Sequence, residues 1–474
     1  MEIKRVKHEV VPSAKRLINS LRNMSYDFVR AVADLIDNSI QANASWVSIK
    51  MVFDGDHSYV RIADDGHGMS GDELTEAMRF GSERDYGLNE LGRFGLGMKT
   101  ASFSQCRKLT VASRNDPERR NIQIRQWNLD QIDETDSWEV DEIPFEGYSD
   151  VVTGSLLDHV GTVVMWEHLD RLMNFKPPDG KKAQAWFNRT AGELDEHLGM
   201  VFHRYLSGEV NIRRKLRITV NDTDISSWDP FAKSELATTK LPEKEITVIS
   251  NHHLLRVRYS PYILPTQINF SSQEAFKRSA GPSKWNSQQG FYIYRENRMI
   301  QGGGWCRLRA ADEHSKYARV ALDVGSESDS ALMLDVTKST VQLPLELRDR
   351  LKPLVADLVS ESGSRYRSSK REVPQTTKIM SHQQPVSAAA VNNLDNDHTE
   401  QSNHSTQTNQ TVETINVDSE VNDHISKERK LDGSSLGLAL EGAALKAGES
   451  LALSKIKTKL LSEDPDSARA LGWL

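Results

Sequence analysis

One boundary limits what this chain can fold into more than any other feature: after Tyr366 no aromatic residue occurs until Trp473. From Tyr366 to Lys430 the sequence is Ser, Thr, Asn, Gln and charge, as in HTEQSNHSTQTNQTVE. Such a stretch buries too little apolar surface to offset the entropy of ordering, so residues 366–432 are expected to be a disordered linker. Beyond it, LDGSSLGLALEGAALKAGESLALSKIKTKLL carries leucine and alanine at helical spacing, and Asp464-Pro465 starts a last turn. Residues 433–474 are therefore expected to form a helical tail whose apolar face serves docking rather than catalysis.

The remaining chain is long enough for more than one core. NFKPPDG, with two prolines and a glycine, marks a break near residues 174–180. The expected division is a first domain over 1–175 and a second over 176–365. Upstream, helical periodicity at about 13–23 and 26–42 precedes strand-like alternation in WVSIKMVF, YVRIADD and KLTVASR. Downstream, LRITVNDTDI, GFYIYRENRMI and YARVALDV read as strands, with helices near 184–206 and 344–360. Both halves are expected to be α+β.

Charge narrows the partners only weakly. A net charge of −7 and a pI near 6.1 give no global attraction for nucleic acid, so any such binding needs a local patch. Arg213, Arg214, Lys215 and Arg217 supply one, and a charged edge strand that discourages aggregation explains them equally well. Cys106 and Cys306 lie far apart without a CxxC, which fits small core residues rather than a disulfide framework or zinc site. The sequence has neither an apolar run of about 18 residues nor a secretory leader at its N-terminus, so a cytoplasmic protein without membrane attachment is expected.

Three blocks carry residues suited to chemistry. In AVADLIDNSIQANA, Asp34 and Asn38 stand one helical turn apart and aim a carboxylate and an amide at one spot. That pair suits orienting a water and holding a hard Mg2+ through oxygen; a solvated polar stripe is the plainer explanation. Asp64-Asp65-Gly66-His67-Gly68-Met69 follows a strand, so its glycines let backbone approach a flat ligand while an acid accepts from an exocyclic amine. An ordinary Asp-Gly turn has the same appearance. Gly92-Arg93-Phe94-Gly95-Leu96-Gly97-Met98-Lys99-Thr100 opens a helix, and its backbone amides together with the Lys99 charge suit a phosphate cradle. It is not a P-loop, because Met98 separates Gly97 from Lys99 and no apolar strand precedes the segment.

In order and spacing these blocks resemble the GHKL ATPases: gyrase B, Hsp90, histidine kinases and MutL, and most closely the MORC-like branch. ADLIDNSIQA resembles the N box, DDGHGM the first glycine box, FGSERDYGLNELGRFGLGMKTAS the lid and second glycine box, and Gly161-Thr162-Val163-Val164 the third. The resemblance implies a Bergerat-type α/β sandwich that binds ATP with Mg2+ on Asn38. Asp64 would receive the adenine amino group, supported by Thr162 through water, and Gly66, Gly68 and Met69 would line the base pocket. Gly92, Gly95, Leu96, Gly97, Met98, Lys99 and Thr100 would surround the phosphates, and Ser82 and Arg84 belong to the implied lid. Where the family has a general-base Glu this chain has Asp34, one methylene shorter, so the base either acts slowly, works through an extra water, or is replaced by Asp37.

GFYIYRENRMIQGG, YARVALDV and MLDVTKSTVQLP resemble the S5-like transducer domain of MutL and MORC proteins, which the resemblance places over residues 176–365. Lys338 falls where that family reaches the γ-phosphate from the second domain, although a solvent-facing strand-end lysine would look the same. No helix with a phospho-acceptor His precedes the N box, which argues against a histidine kinase. Nor does the tail resemble a metal-binding endonuclease domain. What the resemblance implies is an ATPase acting as an ATP-gated, homodimerising clamp or switch on DNA. The alternatives are a non-hydrolysing ATP sensor that recruits a nuclease partner, and an Hsp90-like protein-remodelling ATPase.

Overall fold

The computed structural model describes residues 8, 10–23, 26–81, 97–147, 149–210, 215–250, 253–325, 341–371 and 457–458. By contacts the chain divides into two units, Met1–Met380 and Ser381–Leu474, and in the second only the helical residues 457–458 are described. The expected linker and helical tail thus lie outside the described residues, apart from these two and the last turns of a helix that runs to Arg371.

In the first unit, helices begin where the sequence supplies caps. Ser13 accepts from the Arg16 amide to start α1 (Ala14–Arg22), and Asp27 accepts from the Arg30 amide to start α2 (Phe28–Gln41). After β1 (Trp46–Val52) and β2 (Tyr59–Asp64), a reciprocal Ser70–Glu73 capping box starts α3 (Gly71–Met78). Then come α4 (Gly97–Phe103), β3 (Lys108–Arg114), β4 (Gln123–Asn128), α5 (Leu129–Thr135), β5 (Asp141–Glu142), α6 (Asp150–Asp158) and β6 (Gly161–Glu167). Two further helices, α7 (Lys181–Val201) and α8 (His203–Ser207), lead to the hairpin of β7 (Arg217–Val220) and β8 (Thr223–Asp224).

These strands form one eight-stranded sheet in the order β5-β4-β3-β6-β2-β1-β7-β8. Period-two alternation sorts its side chains between two layers of helix. Ile62, Val111, Val164 and Trp166 face a core that includes Ile36 of α2, Phe103 of α4 and Phe187 and Leu198 of α7. Ala63, Ala112, Val163 and Met165 face the other way, onto Val152 and Leu156 of α6. The sheet and its first core extend past residue 176, because β7 pairs in parallel with β1 and Leu198 packs with Ile36. Dividing the chain at 175/176 would therefore cut through this sheet.

A second sheet follows, with β9 (Thr239–Lys240), β10 (Lys244–Ser250), β11 (His253–Ile263), helices α9 (Gln273–Ser279) and α10 (Lys284–Gln288), then β12 (Gly290–Arg295), β13 (Arg298–Gly302) and β14 (Ala318–Val324). Its order is β10-β11-β14-β12-β13, with β9 on β11. Leu347, Leu351 and Leu358 of α11 (Leu345–Arg371) share its core with Phe291, Ile293 and Val320. LRITVNDTDI and GFYIYRENRMI, each read as a strand, are hairpins that turn at Asn221-Asp222 and Glu296-Asn297, all four residues having positive φ. The architecture is α+β, with α7 joined to both halves through α2 and β13.

Candidate functional site

Strand register brings together residues far apart in sequence. Asp64 at the end of β2 lies opposite Thr162 of β6, which lies opposite Ser113 of β3. Asp64 Oδ1 accepts from the Gly66 amide at 2.9 Å and the Thr162 amide at 3.3 Å, while Oδ2 accepts from Ser39 Oγ of α2 at 2.8 Å. Burial outweighs these three donors and pushes the Asp64 carboxyl up to about 6. Ser113 gives its proton to the Gly161 carbonyl at 2.9 Å and meets the Thr162 hydroxyl and the Met69 amide at the same distance. Thr162 thus touches Asp64 directly through its backbone, and its hydroxyl is turned to Ser113.

The glycines serve packing within the protein. A Cβ on Gly68, whose φ is +67°, would stand 2.0 Å from the Arg114 carbonyl oxygen, and one on Gly66 would stand 2.7 Å from Ala42 Cβ. The loop from Asp65 to Met69 is thereby pressed between the ends of α2 and β3. Asp65 is turned away from Asp64 and accepts from the Ser45 and Trp46 amides, both at 2.8 Å.

On α2 the acids and the amide part company. Asp34 and Asp37 are buried, whereas Asn38 is exposed. One Asp34 oxygen accepts from the Tyr26 hydroxyl, and the other lies 3.3 Å from Arg298 Nη2. Arg298 Nε reaches Asp37 Oδ2 at 2.8 Å. Burial beside Asp34 holds the Tyr26 hydroxyl far above its usual range.

On α4, space is open beside Gly97, and Met98 packs against the first core. Lys99 and Thr100 are buried. The Lys99 ammonium donates to the carbonyls of Ala77 at 2.8 Å and Arg79 at 2.6 Å, so it closes the end of α3. Burial pushes it down to about 8. Ser82, Arg84, Gly92, Gly95, Leu96 and Lys338 lie outside the described residues, as do Arg213 and Arg214 of the basic cluster. Arg217 belongs to β7, an inner strand, and its Nε is 2.6 Å from Asp224 Oδ1.

Residues 26–162 match the model of the histidine kinase-, DNA gyrase B- and HSP90-like ATPase family. This stretch is a GHKL ATPase domain. The chain is also similar to the ATPase morc-1 of Caenorhabditis elegans, at 28% identity over 102 residues, which is 21% of this chain and 12% of that protein. No helix among the described residues is long and apolar enough to cross a membrane.

Within the ATPase domain, Asn38 is the residue whose surroundings fit a Mg2+. It is exposed on α2, one turn from Asp34, and its side-chain oxygen makes no hydrogen bond among the described residues. No cluster of three His, Cys, Asp or Glu side chains exists among those residues to cage a metal. A Mg2+ that keeps its waters and leans on substrate phosphates needs only such a single oxygen from the protein.

Four residues of the site escaped sequence reasoning. Ser39 and Ser113 are buried hydroxyls, and a buried polar group needs a partner, but nothing in their sequence neighbours marks them. Nor are Tyr26 and Arg298 marked, because their partner Asp34 is reached only through the tertiary fold.

Proposed function

We propose that this protein binds Mg-ATP at the end of β2 and hydrolyses it slowly, as an ATP-gated switch. The observation that supports this most is Asp64, buried at the end of β2 and steadied by Ser39 of α2 and by Thr162, with the exposed Asn38 next to Ser39 in the same helix. Asp64 would accept from the adenine amino group, with Gly66, Gly68 and Met69 beside the base. The phosphates would extend toward Gly97 and Met98, with Gly92, Gly95, Leu96 and the lid residues Ser82 and Arg84 completing the enclosure. Asn38 would hold the Mg2+, whose contribution is to neutralise phosphate charge.

For hydrolysis, Asp34 would accept a proton from water as its oxygen attacks the γ-phosphorus. The bond to the β–γ bridging oxygen breaks, and ADP and phosphate leave. Lys338 would approach the γ-phosphate across the domain boundary, so that ATP and ADP favour different arrangements. Resemblance to MORC and MutL chains further supports an ATP-dependent homodimer in the cytoplasm, with DNA, a nuclease or both as its partners.

One observation favours a second reading, a sensor that binds ATP without turning it over. Both oxygens of Asp34 are already engaged, by Tyr26 and Arg298. Measuring ATP binding and steady-state hydrolysis, with and without DNA, in the wild type and Asp34→Ala separates the two. Slow hydrolysis abolished by Asp34→Ala supports the ATPase; binding with no turnover supports the sensor; no binding by the wild type overturns both.

A further inference from the structure

Arg298 opens β13, and the turn before it fixes where it points. Glu296 and Asn297 have φ of 46° and 68°, the left-handed pair that matches the twist of a tight hairpin. This turn is braced by α8. The Tyr205 hydroxyl donates to the Glu296 carbonyl at 2.6 Å, and Arg204 Nη1 to Asn297 Oδ1 at 3.3 Å. Arg298 leaves this braced hairpin and ends on α2, beneath the Phe202 ring at 5.9 Å.

There it forks across two acids one turn apart. The side chains of Arg298, Asp34 and Asp37 are 5%, 6% and 3% exposed, so the attraction among them is little screened. A planar guanidinium held by one carboxylate can swing, but one held by two is fixed and in turn fixes the rotamers of both. Asp37 is the anchoring leg. Asp34 is the leg that matters for chemistry, and being shorter than Glu it has less reach to compensate for a wrong orientation.

We propose that Arg298 is the positioning residue for Asp34, through which the second sheet sets the orientation of the base on α2. This rests on the ATPase reading above. It makes the β12–β13 hairpin a lever, because any displacement that withdraws Arg298 releases the Asp34 carboxylate.

The test compares full-length wild type, Arg298→Gln and Arg298→Lys, with ATP affinity, kcat and the pH profile of kcat as readouts. Asp34 is faced by Tyr26, by Asp37 of α2 and by Arg298; His197 of α7, which also feels Arg30 of α2, and Tyr205 of α8 lie within the field of Arg298. Loss of the guanidinium therefore removes a positive charge from beside Asp34. For Arg298→Gln we expect kcat to fall about 100-fold, the lower end of the contribution of a general base. ATP affinity should stay within about threefold, and the acid limb of kcat should rise by about one pH unit as the opposite charge is lost. Arg298→Lys keeps the charge but not the fork, so its kcat should fall between the two with the acid limb near that of the wild type. If Arg298→Gln does not fold, Arg298→Lys decides alone, and wild-type kcat in that variant overturns the proposal. Parallel loss of affinity and kcat overturns it in favour of a structural strut. A wild type that binds ATP without turnover removes the base to be positioned and overturns it too, whereas one that does not bind ATP overturns the ATPase reading itself.

Discussion

The Thr162 backbone amide donates to Asp64 Oδ1 across two neighbouring strands at 3.3 Å, so the acid at the centre of the site is held by the sheet itself. Its ordinary value is 3.8, and burial raises it to about 6. Between these values the folded chain keeps a proton that the unfolded chain releases. The stability contributed by Asp64 is thus full at the acid end of the window and lost as pH rises through about 6. Nucleotide affinity runs the opposite way, because only the ionised acid is free to accept from the adenine amine. Calorimetric titration from pH 5 to 8 should show ATP affinity weakening about tenfold per unit under pH 6, the slope for one coupled proton. Asp64→Asn should bind weakly with no such step.

Gly161 permits that register. Its φ is +148°, and a Cβ there would lie 2.0 Å from the Asp64 carbonyl oxygen, which is backbone and cannot yield. Gly161→Ala should therefore part β6 from β2. We expect a loss of about 2–3 kcal/mol in urea unfolding, typical of a clash with rigid surroundings, together with weakened ATP binding. Unaltered stability would mean that the strands have slack the geometry does not suggest.

Arg319 offers a contrast to Arg298. It is fully buried, donates to the carbonyls of Pro230 at 2.5 Å and Ser279 at 2.7 Å, and its guanidinium lies 5.2 Å from the Trp285 ring and 5.6 Å from Trp228. No carboxylate of the site touches it, so its work is to hold the second core together. Arg319→Lys cannot span both carbonyls and should cost about 2–3 kcal/mol, as for a lost charged hydrogen bond with its aromatic contacts. ATP affinity should stay within about twofold. A variant of wild-type stability but altered affinity would contradict this.

Much of this arrangement was legible in the sequence where a local rule sufficed. Period-two runs located β1, β2 and β3, and helical periodicity located α1 and α2, because each depends on neighbours within a few residues. Asp64 stood out as an acid at a strand end before glycines. The division of labour between Asp34 and Asp37 did not, since both fall on one helix and Arg298, which joins them, lies 261 residues beyond Asp37. Gly66 and Gly68 were read as making room for a ligand; the close approach of Ala42 and Arg114 that they also permit is encoded by no local pattern.

Lys99 shows the same limit and gives a decisive experiment. Its sequence position two residues after Gly97 suggests a phosphate contact, yet the residue is 2% exposed and its ammonium faces the carbonyls of Ala77 and Arg79, with the Phe80 ring 6.0 Å away. Removing it leaves those carbonyls without their charged donor at the point where α3 ends. Lys99→Met keeps the length and apolar stem while deleting the charge, so it should cost about 2–3 kcal/mol in unfolding, the range for hydrogen bonds to charged groups. If the ammonium stays on the protein when nucleotide binds, ATP and ADP affinities should fall by the same factor, since no γ-phosphate contact is lost. If it instead swings to the phosphates, ATP affinity should fall much further than ADP affinity while stability changes little. Measuring both affinities and the urea midpoint of the one variant distinguishes the helix clamp from the phosphate ligand, and the buried geometry favours the clamp.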